Sequence, residues 1–181
     1  MSGDDDKKRF ADVVIPHLGD AYSLAHWLTG DAADAEDVVQ EACVRAFRAV
    51  CGYSGGNARA WTLTIVRNTA FSWLAKNRRR TLVAVDDLEA VERAQALPGR
   101  NGAQSNPATP ETELIAKADA ARLEAAITAL PPLFRETLVL RDLQGLDYRE
   151  IAEVTEVPVG TVMSRLARAR RRLIDTIGTD P

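Results

Sequence analysis

The sequence predicts an all-α protein built as two small helical domains joined by a flexible linker. Three observations carry this. Apolar residues recur at three- and four-residue spacing over 8–28, 31–50, 58–80 and 111–177, the period that gives a helix one apolar face. Short breaks rich in Gly and Pro interrupt those stretches. Residues 81–110, by contrast, hold Pro98, Gly99, Asn101, Gly102, Asn106, Pro107 and Pro110, with few large apolar residues after Leu97. Such a segment lacks the apolar surface to order itself, and extended it spans at most ~100 Å. A chain of 181 residues, 46% of them apolar, is long enough for two small domains.

The elements follow in order. Residues 8–28 pattern as helix, with Pro16 as a kink or break. Thr29-Gly30-Asp31 is a turn, and Asp31 or Asp34 is the N-cap of a helix running to residue 50. Residues 51–57 contain three glycines and read as a loop. A third helix covers 58–80. After the linker, helical patterning resumes and is interrupted at Leu130-Pro131-Pro132, Gln144-Gly145 and Val157-Pro158. A helix over 148–154 turns Ile151 and Ala152 inward, Thr155-Glu156-Val157 is a turn, and a second helix starts at Pro158. On that helix Val159, Val162, Leu166, Ala169, Leu173 and Ile177 form the core stripe. Thr161, Ser164, Arg168 and Arg171 lie away from it, with Arg165 and Arg172 on its flanks. Hydroxyls and guanidiniums on the free face of a helix-turn-helix suit the major groove of duplex DNA.

The net charge of -3 and the isoelectric point of about 5.5 argue against nucleic acid until the charges are placed. Residues 1–40 hold nine acids and three bases, whereas 41–80 hold eight bases and one acid, a net of +7. Residues 161–172 carry five arginines and no acid. The basic charge thus sits in two patches, the footprint of a nucleic-acid binder.

Two motif sets carry a resemblance. The first is Gly30-Asp31-Ala32-Ala33-Asp34-Ala35-Glu36-Asp37-Val38-Val39-Gln40-Glu41 with Arg45-Ala46-Phe47, followed by Ala60-Trp61-Thr62-Leu63-Thr64-Ile65-Val66-Arg67-Asn68. The second is Leu130-Pro131-Pro132 with Phe134-Arg135, Tyr148-Arg149-Glu150-Ile151-Ala152, Val157-Pro158-Val159-Gly160-Thr161-Val162 and Ser164-Arg165-Leu166. Together they resemble the second and fourth conserved domains of bacterial extracytoplasmic-function (ECF) sigma factors, in that order.

The resemblance implies a three- or four-helix bundle over 8–80, a flexible linker over 81–111 and a helix-turn-helix domain over 112–178. It implies that Asp37, Gln40, Glu41 and Val44, at i, i+3, i+4 and i+7, bind the β′ clamp helices of core RNA polymerase, while Val38, Ala42 and Phe47 turn inward. Residues around 130–145 would meet the β flap. The opened -10 strand of promoter DNA would be held by the loop 51–57 with Tyr53, and by Arg59, Trp61, Arg67, Asn68, Lys76, Arg78, Arg79 and Arg80. Trp61 serves equally as a stacking surface or as core, and Trp73 reads as core. The -35 duplex would be read by Thr161, Ser164, Arg165 and Arg168, with Arg171 and Arg172 beside them. An anti-sigma factor is an implied partner.

The chain departs from the family pattern twice. Glu156 stands where Gly is usual in the turn, and Met163 where a basic residue is common. No segment matches the extra domains of primary sigma factors, which fits the ECF group.

No catalytic constellation appears. His17 and His26 are nine residues apart, on different faces. Cys43 and Cys51, eight apart, read as small apolar residues with no metal-ligand spacing. No cofactor, metal, small-molecule substrate or membrane insertion is expected. The acidic N-terminal stretch does not read as a signal peptide, so the cytoplasm is the expected compartment. Two other readings stay open. A stand-alone helix-turn-helix regulator would leave 31–47 unexplained, and a decoy for an anti-sigma factor would not need Asn68 or the face of Thr161, Ser164 and Arg168.

Overall fold

The computed structural model describes the backbone of residues 3–84 and 110–178, and the side chains of 4–77 and 118–178. Among the described residues the regular elements are all helical: α1 (Gly3–Val13), α2 (Leu18–Thr29), α3 (Ala32–Ala49), α4 (Ala58–Ala84), α5 (Pro110–Thr128), α6 (Pro132–Leu138), α7 (Tyr148–Thr155) and α8 (Val159–Gly178).

Local chemistry explains where these helices begin and end. Pro16 has no N–H to give, so α1 stops at Val13 and a 3-10 turn over Ile15–His17 leads into α2. Gly30 takes the left-handed conformation (φ 79°) that closes α2, its N–H donating to the His26 carbonyl. Asp31, and not Asp34, caps α3: its Oδ1 accepts from the N–H groups of Ala33 at 2.8 Å and Asp34 at 3.0 Å. Asn57 caps α4 by accepting from Ala60 N–H at 3.0 Å. Asp147 and Glu150 form a reciprocal capping box at the start of α7. Pro158 is the cap before α8, its carbonyl accepting from the N–H groups of Thr161 and Val162. The chain passes from α6 to the turn at Gln144-Gly145 through a π-helical turn, Val139–Leu143.

In the first half α2, α3 and α4 pack side by side, burying Leu24, Leu28, Val38, Leu63 and Val66. In the second, α6, α7 and α8 close around Leu140, Leu146, Ile151, Val162 and Leu166. The two helical domains that the sequence predicts also meet. α4 packs against α7 and α2 against α6, and the buried residues of both halves form one continuous cluster.

Several expectations need correction. Phe47 does not turn inward; it is exposed and meets Phe10 edge to face, while Ala46 takes the buried position one turn after Ala42. On α7 the fully buried partner of Ile151 is Val154, and Ala152 is half-buried. The α8 stripe is buried only at Val162, Leu166 and Ala169; Leu173 is half-buried, and Val159 and Ile177, at the two ends of the helix, are exposed. Cys43 is half-buried, and Cys51 is exposed, its thiol donating to Asp6 at 3.1 Å. The nearby Asp6 carboxylate holds that thiol above its ordinary range. Residues 81–84 and 110–111 of the expected linker are helical, and 85–109 lie outside the described residues.

Glu156 adopts φ 55° and ψ 39°, the left-handed cap that favours glycine. Replacing Glu156→Gly should therefore raise stability by about 1 kcal/mol, read as a higher urea midpoint with unchanged helix content.

Candidate nucleic-acid and polymerase interfaces

Three surfaces gather the singled-out residues. The first lies on α3. Asp37, Gln40, Glu41 and Val44 are all exposed along one face, as their spacing requires. They border a groove of about 570 Å³ whose far wall is Thr69, Ser72, Trp73 and Lys76 of α4. Glu41 accepts from Arg45 at 2.7 Å, an exposed i,i+4 pair. Lys76 lines this groove; nine residues from Arg67, it stands half a revolution round α4 from it. Trp73 packs on the core, half-buried.

The second surface is the turn before α4. Gly55 and Gly56 both have positive φ, 98° and 104°, which bends the chain back so that Tyr53 Oη donates to the Gly56 carbonyl at 2.8 Å. The Tyr53 and Trp61 rings lie 5.1 Å apart. They flank an open pocket of about 430 Å³, which Glu153 of α7 also lines. Trp61 is half-buried on the cluster of Val13, Val14, Ala46 and Val50, so it is core and pocket wall at once.

Arg59, Arg67 and Asn68 extend this surface along α4, but none stands free. Arg59 donates to Asp20 at 2.6 Å and to the Gln144 carbonyl at 2.8 Å. Arg67 donates from Nε and Nη2 to Glu136, at 2.7 and 3.2 Å, and from Nη1 to Asn68 Oδ1 at 3.1 Å. Its guanidinium also lies 4.7 Å from the centre of the Phe71 ring. Arg78, Arg79 and Arg80 lie within α4, and their side chains are outside the described residues.

The third surface is α8. Ser164, Arg168 and Arg171 are exposed, Thr161 is half-buried, and Met163 projects beside them. Arg172 lies over the Phe134 ring at 5.1 Å. Arg165 departs from the group, since only 17% of its side chain is exposed and it donates to Glu136 at 3.3 Å.

The comparisons with known proteins fit this layout. The family model described as Sigma-70 region 2 matches residues 13–80, and that described as Sigma-70, region 4 matches residues 120–173. The ECF RNA polymerase sigma factor SigE of Mycolicibacterium smegmatis is 36% identical over 165 residues, 91% of this chain and 60% of the relative. The chain belongs to the ECF sigma factors of the sigma-70 family. The ECF sigma-E factor of Escherichia coli is 34% identical over 169 residues, covering 93% of this chain and 86% of the relative. The RNA polymerase sigma-H factor of Pseudomonas aeruginosa is 34% identical over 172 residues with the same coverage. Among solved structures, the sigma factor RpoE of Bartonella quintana, in complex with the anti-sigma factor NepR, matches with a TM-score of 0.69 at 24% identity, over 96% of this chain and 99% of that one. CnrH in complex with the cytosolic domain of CnrY gives 0.62 at 24% identity, over 95% and 89%. These two share the fold.

In this sigma factor the sequence reading missed the residues that join the two halves. Glu136 has no exposed surface, and it takes both Arg67 and Arg165. Burial pushes its carboxyl upward and the two guanidiniums pull it back down. A signal was present: a lone carboxylate within the apolar run Leu133-Phe134 and Leu138-Val139-Leu140 requires a cation. Arg135 is the other. It donates to the carbonyls of Trp27, Leu28, Thr128 and Leu130, fastening the C-terminal end of α2 to α5 and α6. Burial lowers its guanidinium from the ordinary value.

Charged donors on otherwise unpaired carbonyls are among the stronger hydrogen bonds. Arg135→Met should accordingly cost about 3 kcal/mol in urea denaturation, with α2 amides gaining hydrogen exchange before those of α3.

Proposed function

We propose that this sigma factor joins core RNA polymerase through the α3 face and directs it to promoters through α8 and the turn before α4. Asp37, Gln40, Glu41 and Val44 present carboxylates, an amide and an apolar tip in one row, which fits the β′ clamp helices. Lys76 borders the same groove. Segments around 130–145, where Leu133 and Leu143 are exposed, face the β flap.

The observation that carries the DNA reading is the free face of α8. Ser164 and Arg168 project from a helix whose other side is fixed by Val162, Leu166 and Ala169. That geometry supports a helix lying in the major groove with hydroxyl and guanidinium groups toward base edges. Thr161 and Arg165 complete the -35 contacts, and Arg171 and Arg172 track phosphate. The opened -10 strand is held by Tyr53, Trp61, Arg59, Arg67 and Asn68, with Arg78, Arg79 and Arg80 on the adjoining duplex. One base enters the pocket beside Tyr53. Flipping costs a few kcal/mol of unstacking, which the captured contacts repay.

Melting therefore runs on binding energy, and the chain needs no catalytic residue, cofactor or small-molecule substrate. Among the described residues no cluster suits a metal, and no helix is long and apolar enough to cross a membrane. The reading places the chain in the cytoplasm, beside the polymerase. Two proteins of the same fold are complexed with anti-sigma factors, which supports such a partner here.

Arg168→Ala should weaken binding of the polymerase complex to its -35 element by about 1–3 kcal/mol. Mutating the contacted base pair should then add nothing; an equal loss on every duplex would make Arg168 a phosphate contact. The double variant Asp37→Ala, Glu41→Ala should lower affinity for core polymerase at least about ten-fold, measured by fluorescence anisotropy. Unchanged affinity would remove the α3 face from the interface.

A further inference from the structure

α1 takes no part in the surfaces described so far, yet one of its faces is turned on the loop beside the base pocket. Asp6, Arg9, Phe10 and Val13 stand at i, i+3, i+4 and i+7, which puts them on one side of the helix. Phe10 and Val13 join the apolar cluster that carries Val50, Tyr53 and Trp61. The two polar residues reach the loop itself. Arg9 Nη2 donates to the Tyr53 carbonyl at 2.6 Å, across 44 residues of sequence, and Asp6 accepts from the Cys51 thiol at 3.1 Å.

The loop needs such a brace. Gly55 and Gly56 hold positive φ, and glycine loses more backbone freedom on ordering than any other residue. Residues 54–57 are all exposed, so apolar packing does not order them. A loop left free would have to be ordered when a base enters, and that cost comes off the binding energy. The carbonyl and the ring of Tyr53 belong to one residue. Holding the carbonyl therefore limits the backbone rotation that would swing the ring from its place 5.1 Å from Trp61. The bond has a charged donor, and both Arg9 and Tyr53 are half-buried; such bonds are roughly twice as strong as neutral ones.

We infer that Arg9 is a positioning residue for base capture: from α1 it fixes the Tyr53 backbone, so that the wall formed by Tyr53 and Trp61 is in place before the -10 strand arrives. Arg9 acts through Tyr53 and not on DNA. The Asp6–Cys51 contact holds the same loop two residues earlier and adds to the brace. This rests on the base capture proposed above.

An abasic scan of the -10 strand tests the role of Arg9. The full chain, in complex with core polymerase, is titrated with labelled non-template oligonucleotides from a promoter that the complex transcribes. With the wild-type chain, an abasic site at the captured position should weaken binding at least about ten-fold. Arg9→Met should weaken binding of the intact strand and bring that abasic penalty down to about three-fold or less. Arg9→Lys, which keeps a charged donor, should restore most of the penalty. Affinity for core polymerase and the helical circular dichroism should stay at their wild-type values. If Arg9→Met loses that helical signal, Arg9→Ala decides.

An abasic penalty that the folded variant leaves intact would overturn the proposal, even if the variant binds every strand more weakly, since a uniform loss marks a phosphate contact or general destabilisation. A wild-type chain with no abasic penalty at any position would overturn base capture itself, and the role of Arg9 with it.

Discussion

A carboxylate with no exposed surface organises this molecule. Glu136 sits in the seam between the halves, where an isolated charge would be prohibitively costly. It is sustained because Arg67 arrives from α4 and Arg165 from α8. Each arginine is in turn aimed by packing: Arg67 lies over the Phe71 ring, and Arg165 follows Val162 and precedes Leu166 on the buried side of α8. The seam is thus specified by charge and not only by apolar contact. Its apolar part, Leu63 and Val66 with Ile151 and Val154, supplies area; the ion cluster supplies register.

Much of the fold was legible because helices announce their ends. Pro16, Gly30, Asp31 and the Pro131-Pro132 pair narrowed the backbone's choices, and the helix breaks fell at them. The faces were read less well at helix ends. The α8 stripe ran correctly through Val162, Leu166 and Ala169, but Val159 and Ile177, in the first and last turns, came out exposed. Phe47 failed for a different reason: Val38, Ala42 and Ala46 fill the buried side of α3, and Phe47 lies one residue round the helix from it.

The candidate interfaces divide along the same line. The row Asp37, Gln40, Glu41 and Val44 lies within one helix, and spacing alone brings it together. The separation of Lys76 from Arg67 was also computable, since nine residues turn a helix by half a revolution. What one-dimensional reading could not supply was pairing across 69 residues, as between Arg67 and Glu136, or the use of Arg135 to hold α2. Both were foreshadowed only by charges placed inside apolar runs. The charge asymmetry acquires a meaning in the fold as well: acids of the second half, Glu136, Glu150 and Glu153, face the basic first half. The modest net charge is in part an internal neutralisation across the seam between the halves.

The central claim is that Glu136 fixes the seam between the halves through Arg67 and Arg165. A double-mutant cycle between Arg67→Met and Glu136→Leu, read by urea denaturation, tests it most directly. The account predicts that the two losses couple by at least about 1 kcal/mol. Losses that simply add would contradict it.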